Sequence, residues 1–265
     1  LRLLPAAPFT GIVFRRTDLG HDIPARWDKV VDTRLCTVVA DPDRPEARVG
    51  TIEHLMAAFA AADIDNAVVE VDGPELPILD GSAEPFLFLL DCAGRHEQLA
   101  ERPTIVVRRP VRVEQGDSFA ELRPLPRGTI PRCEFALSIA FAAPAIGRQA
   151  LSFRLGPRAF RREVAAARTF TQAAEVAQLR AAGLALGGSL ANAVVVDHDT
   201  VLNPEGLRRP DEFVRHKMLD MVGDLALAGA PLSARVVAHR PGHGLNNRLL
   251  HALFAYPANW TSTAR

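Results

Sequence analysis

The stretch EHLMAAFAAADIDNAVVEVDG, residues 53–73, runs from a helix into a strand, and its reading decides the fold class. Leu55, Phe59 and Ala62 recur at helical spacing over 51–62, while AVVEV at 67–71 alternates as a strand does. Thr51 is the expected N-cap, which puts Glu53 and His54 in the first turn, projecting from the side opposite the apolar stripe. A second stretch, LDMVGDLALAGAPLSARVVAHRPG at 219–242, has the same order of helix, short break and Val-rich strand. The echo is one of pattern, not identity. It points to two related domains, each with a ligand-bearing helix facing the other across an interface.

Working outward, strands are expected at 11–14, 29–39 and 67–71, and a helix at 85–93. The charged, weakly apolar stretch 94–103 marks a boundary, giving an N-terminal domain over 1–97 and a C-terminal domain over 104–265. In the second, strands at 104–107, 111–114, 121–123 and 135–141 precede helices at 157–167 and 172–181 and a strand at 193–196. Asp211 then caps a helix that runs through Leu227 and stops at Gly229, with Pro231 beyond. The class is α+β, two similar domains each with a sheet and helices.

The chain has 265 residues, 48% of them apolar, enough for a sizeable core. Lys plus Arg and Asp plus Glu both total 31, and a net charge of zero argues against a chain built to neutralise nucleic acid or anionic lipid. Cys36, Cys92 and Cys133 form no CxxC pair and suit a reducing compartment. No run reaches the roughly 20 apolar residues of a membrane helix. Pro5, Pro8, Arg15 and Arg16 break up any signal-peptide core. The expectation is a soluble, cytoplasmic protein, and the start in LRLL without Met suggests a trimmed version of a longer chain.

His216 and Asp220 stand one helical turn apart, with Gly223, Asp224 and Leu227 along the same stripe. Two imidazoles and a carboxylate bind Zn²⁺ and leave a position for water, and a carboxylate beside the first ligand is where a general base is wanted. Each motif also has an ordinary reading. With 8 His and this Asp content, about half of one such His–Asp pair arises by chance. Glu53 and His54 alone would be a solvated helix start, and no HExxH accompanies them. His243, in PGHGLNN, reads as a loop residue exposed ahead of a C-terminal helix. GLALGGSLANAVVV at 183–196 matches neither GxGxxG nor a Walker pattern and reads as a tight turn, and no GxSxG supports a serine hydrolase.

Longer segments carry a resemblance. TGIVFRRTDL (10–19), TIEHLMAAFAAADIDNAVVEVDGPELPILDGSAEPF (51–86), ARTF (167–170), GLALGGSLANAVVV (183–196), VLNPEGLRRPDEFVRHKMLDMVGDLALAG (201–229) and GHGLNN (242–247) together resemble the UDP-3-O-acyl-N-acetylglucosamine deacetylases, nearly end to end and in the same order. The resemblance implies a zinc amidase of lipid A biosynthesis acting on an acylated UDP-sugar, with Fe²⁺ as the alternative metal, and a monomer. It implies a β-α-α-β sandwich, helices packed between two sheets, with the active site at the domain interface. Carried over by position, the zinc ligands are His54, His216 and Asp220, and the general base is Glu53. His243 assists the tetrahedral intermediate and the leaving amine, with Asp224 as its partner. Thr169 and Phe170 meet the carbonyl region and the sugar, and Lys217 is a basic substrate contact.

An insert at about 171–201 would form a passage for the acyl chain, with Val176, Leu179, Leu184 and Leu186 as candidate lining. The chain departs from the pattern in three places. The family's opening strands with a GxGLHSG-like turn do not precede Leu1, TQAA stands at 171–174 in place of a Gly-Phe-Met-like continuation, and Ala143 stands where a His is common. The rival readings are a zinc amidase for another N-acetyl sugar and a non-catalytic binding protein of the same fold.

Overall fold

Backbone pairing in the computed structural model, which describes residues 1–181 and 187–263, separates the first half of the chain from the second. Strands β1 (Arg2–Pro5), β2 (Ile12–Arg16), β3 (His21–Pro24), β4 (Val30–Asp32), β5 (Val38–Asp41), β6 (Arg44–Val49) and β7 (Ala67–Val71) form two sheets, ordered β1-β7-β2-β3 and β4-β5-β6. Helices α1 (Glu53–Ala61) and α2 (Glu84–Ala93) belong to this half.

The second half contributes β8 (Ile105–Val107), β9 (Val111–Gln115), β10 (Ser118–Arg123), β11 (Cys133–Ala140), β12 (Arg148–Arg154), β13 (Phe170–Gln172), β14 (Val194–Asp197), β15 (Thr200–Val201), β16 (Leu232–His239) and β17 (Trp260–Ser262). The main sheet runs β12-β11-β16-β10-β9, β8 joins it through β16 and carries β17, and β13-β14-β15 stand apart. Its helices are α3 (Pro157–Glu163), α4 (Ala173–Ala181), α5 (Glu212–Ala226) and α6 (His243–Phe254). The fold is α+β, with α5 resting on β11 and β12, α6 on β9 and β10, and α1 packed on α5.

The helix pair α1 and α5 is the centre of the core. Leu55, Ala57, Ala58 and Phe59 of α1 and Val214, Met218, Leu219 and Met221 of α5 are all buried. Burying each large apolar side chain contributes about 1.5–3 kcal/mol. At their crossing a Cβ on Gly223 would overlap the Glu53 carbonyl, so the helices meet backbone to backbone. Polar residues on α1 and α5 are therefore enclosed too, and Glu53 and His54 do not project into solvent from an open face as expected.

Three other expectations are corrected. Thr51 does not cap α1: its backbone is left-handed, φ 56°, and its hydroxyl donates to Glu75 Oε1 at 2.6 Å. The strand expected over 29–39 is two strands, β4 and β5, because Asp32 Oδ1 accepts the Arg34 amide and turns the chain. The helix expected over 157–167 stops at Glu163, where the Val164 and Ala165 amides both turn to the Phe160 carbonyl. Of the candidate passage residues, Val176 is half-buried, whereas Leu184, Leu186 and the side chain of Leu179 lie outside the described residues.

Candidate active site

The first turn of α1 presents Glu53 and His54, and successive turns of α5 present His216, Asp220 and Asp224. Gly223 allows the crossing that brings them together. The rings of His54 and His216 stand edge to face at 5.1 Å, and the donor atoms of His54, His216 and Asp220 all lie within 4.8 Å of one another. Asp220 Oδ1 is 3.2 Å from His216 Nε2 and 3.7 Å from His54 Nε2.

His216 Nδ1 donates to the Ala167 carbonyl at 3.0 Å, which leaves Nε2 bare in the neutral ring. Burial lowers the His216 pKa, keeping that ring neutral. Asp220 Oδ1, facing it, is buried with no hydrogen bond, and so is His54 Nδ1. Two lone pairs confronting each other out of water are unfavourable without a cation between them. Burial acts to raise the Asp220 carboxyl, but neighbouring positive charge, with Lys217 Nζ donating to Oδ2 at 3.0 Å, outweighs it and holds the group well below the usual carboxylate range. Two imidazoles and an ionised carboxylate are a donor set for Zn²⁺ or Fe²⁺. The residues present fit a divalent metal.

Beside the cluster lies a relay of carboxylate, imidazole and carboxylate. His243 opens α6, its side chain only 10% exposed, so the open loop expected for it is in fact a helix start folded over α5. Its Nδ1 donates to Asp224 Oδ2 at 2.9 Å, and its Nε2 is 3.8 Å from Glu53 Oε1. Burial alone would lower the His243 pKa, but the charges of Asp224 and Glu53 push it up to about 10. Burial raises the Glu53 pKa, which His243 and His54 partly oppose. Glu53 Oε2 accepts the Thr37 amide at 3.0 Å.

Of the residues expected to meet substrate, Phe170 and Lys217 lie against this centre. The Phe170 ring meets Phe141 at 5.5 Å, Phe213 at 5.0 Å and His216 at 6.2 Å, and Lys217 Nζ lies 5.5 Å over it. Lys217 also donates to Asp220 Oδ2 at 3.0 Å. Thr169 is fixed by its backbone, donating to the Gly81 carbonyl and accepting from Val194 at 2.8 Å each. It makes no hydrogen bond to the metal-type cluster, and its hydroxyl carries none among the described residues.

Sequence reasoning missed several supports. Arg168, 2% exposed, donates through its amide and Nε to Glu212 Oε1 at 3.0 Å and through Nη1 to Glu205. That buried pair ties the 167–170 segment to the start of α5 and so aims the Ala167 carbonyl at His216. Asn246 Nδ2 donates to Asp224 Oδ2 at 2.8 Å, a partner that its position one turn after His243 could have flagged. Thr37, within an expected strand, gave no signal.

A buried site of two imidazoles and a carboxylate, with a carboxylate and a second imidazole within reach, is the arrangement of a metal-dependent hydrolase. Comparison with known proteins gives the particular kind. The family model described as LpxC, UDP-3-O-acyl N-acetylglycosamine deacetylase, matches residues 1–255. A UDP-3-O-acyl-N-acetylglucosamine deacetylase of Phenylobacterium zucineum (strain HLK1) is 53% identical over 97% of this chain and 86% of its own length. Proteins of the same name from Idiomarina loihiensis and Anaeromyxobacter sp. (strain Fw109-5) are 47% and 48% identical, over 98% and 97% of this chain and 84% and 82% of theirs. The chain belongs to the UDP-3-O-acyl-N-acetylglucosamine deacetylase family.

Proposed function

We propose that this protein is a metal-dependent deacetylase that hydrolyses the N-acetyl group of UDP-3-O-(3-hydroxyacyl)-N-acetylglucosamine, releasing acetate in lipid A biosynthesis. The observation that carries this reading is the buried Asp220 Oδ1, which accepts no hydrogen bond and stands 3.2 Å from His216 Nε2, beside Glu53 and His243 in a chain of this family. His54, His216 and Asp220 hold the metal, Zn²⁺ with Fe²⁺ as the alternative.

A Zn²⁺ held by His54, His216 and Asp220 would supply Lewis acidity, lowering a water's pKa from about 15.7 toward 7 and drawing charge from the acetamide carbonyl. Glu53 takes the proton of the attacking water through its Oε1, while Oε2 is held by the Thr37 amide. Protonated His243 gives the proton from Nε2 to the departing amine nitrogen as the carbon–nitrogen bond breaks. Asp224, on Nδ1, keeps that ring cationic and oriented. The free hydroxyl of Thr169 serves the carbonyl oxygen, Phe170 packs on the sugar, and Lys217 meets the substrate. The products are acetate and the free amine.

Two domains, 1–97 and 104–265, meet at this centre, and residues 171–176 and 187–201 contribute to the acyl passage, with Val176 on its wall. Among the described residues no helix is long and apolar enough to cross a membrane. The protein acts as a cytoplasmic monomer on its nucleotide-sugar substrate and has no nucleic-acid partner. The test is acetate release from UDP-3-O-acyl-N-acetylglucosamine with and without a chelator. Chelator-sensitive release is expected; release that survives removal of all metal, or turnover of a different N-acetyl sugar alone, would overturn the reading.

A further inference from the structure

The geometry points to Thr37 as a positioning residue that locks the proposed base and the proposed acid into one register across the two halves of the molecule. Thr37, 1% exposed, sits in the segment between β4 and β5. Its amide donates to Glu53 Oε2 at 3.0 Å, and its hydroxyl donates to Asp224 Oδ1 at 2.6 Å. One residue of the first half thus holds the carboxylate expected to accept the first proton and the carboxylate that holds His243. The inference rests on the roles proposed above for Glu53 and His243.

Two further observations support it. The Asp32 to Arg34 turn breaks the strand just before this residue, so Thr37 points its amide at Glu53 rather than into a ladder. The same segment docks again four residues earlier, where Thr33 Oγ1 would lie 3.1 Å from a Cβ on Gly244, in the first turn of α6. Asp224 therefore takes donors from two sides: Thr37 on Oδ1, and His243 and Asn246 on Oδ2. With Oδ1 pinned by Thr37, the carboxylate cannot rotate, and the lone pair that meets His243 Nδ1 stays in place. Thr37 touches neither the metal ligands nor the substrate-side residues in any hydrogen bond, so it acts through Glu53 and Asp224.

Thr37→Val keeps the shape and removes the hydroxyl. Hydrogen bonds to charged groups convert to about a ten- to hundredfold effect. The expected result is a kcat loss of that size with KM within about twofold and metal content unchanged. Thr37→Ser, which restores the donor, should recover most of the rate. In an Asp224→Asn background Thr37→Val should cost less than about threefold, because the carboxylate charge that Thr37 orients toward His243 has gone. Equal losses in both backgrounds, or no recovery with Ser, would overturn the assignment.

A second measurement does not depend on turnover. The downfield proton resonance of His243 Nδ1–H, identified by its absence in His243→Gln, should move in Thr37→Val and return in Thr37→Ser. A resonance unmoved by Thr37→Val would refute the positioning role. If wild-type protein releases no acetate, the proposed reaction fails while this arm still decides the question for Thr37. Should Thr37→Val not fold, Thr37→Ala removes the same hydroxyl without setting a methyl against Asp224 and carries both comparisons.

Discussion

A Cβ on Gly223 would overlap the carbonyl oxygen of Glu53, so α5 crosses α1 at a point only glycine fills. The metal-type cluster depends on that crossing, since His54 comes from one helix and His216 and Asp220 from the other. Gly to Ala within a helix ordinarily stabilises by about 0.8–1 kcal/mol. Here the atom in the way is backbone and cannot rotate aside. Gly223→Ala should therefore destabilise by about 1–3 kcal/mol, as overpacking does, and weaken metal binding with it. Calorimetric melting with parallel metal analysis checks this, and a melting temperature at or above wild type would contradict it.

His54→Ala, His216→Ala and Asp220→Ala should each purify without stoichiometric metal, because a three-ligand site cannot keep tight tetrahedral binding on two. His216→Ala also leaves the Ala167 carbonyl without its donor. Elemental analysis of the three variants decides the matter. Full metal occupancy in all three would remove the cluster as the metal site.

Much of this centre was legible in the chain, because helical spacing alone sets His216 and Asp220 on one face and EHLMAAF announces a second helix with a His in its first turn. What was not legible is enclosure. The polar stripe of α5 looks like a solvated face, yet His216, Asp220 and Asp224 are buried because α1 packs on it. His243 looks exposed between two glycines for the same reason: the surface it folds onto belongs to a residue 19 positions away. Edge strand β6, RPEARV, escaped notice because its outward positions Arg44, Glu46 and Arg48 are charged, and β12, RQALSFR, because Gln149 interrupts its inward apolar alternation and its ends are Arg. Thr37 reads as one more β-branched residue in a Val-rich run, and its hydrogen bond to Asp224 spans 187 positions, which no local pattern records.

Glu53→Gln should keep its metal and lose rate. The amide preserves the acceptor for the Thr37 amide but cannot take a proton from water. A general base is worth about 10²- to 10⁴-fold, and that is the expected fall in kcat/KM. Wild-type turnover in this variant would move the base role elsewhere, to His243 first.

The pH profile tests the His243–Asp224 pair. Glu53 must be ionised and His243 protonated, so kcat/KM should be bell-shaped, rising as the base loses its proton and falling as the imidazolium is lost. With Asp224 and Glu53 pushing the His243 pKa up to about 10, the alkaline limb should lie well above the ordinary histidine range. Asp224→Asn removes the largest of those favourable charges and should move the limb to lower pH, narrowing the bell. Stability follows the same sign. The folded pKa is raised above the unfolded value of about 6.5, so the contribution of this pair is complete below that pH and is lost as pH rises through about 10. Wild type should therefore lose melting temperature across that window more steeply than Asp224→Asn, while His243→Gln keeps its metal and loses most activity. The measurements are kcat/KM and melting temperature against pH for all three proteins. An alkaline limb that stays put in Asp224→Asn would break the pairing, and a fully active His243→Gln would end the assignment of His243 as the acid.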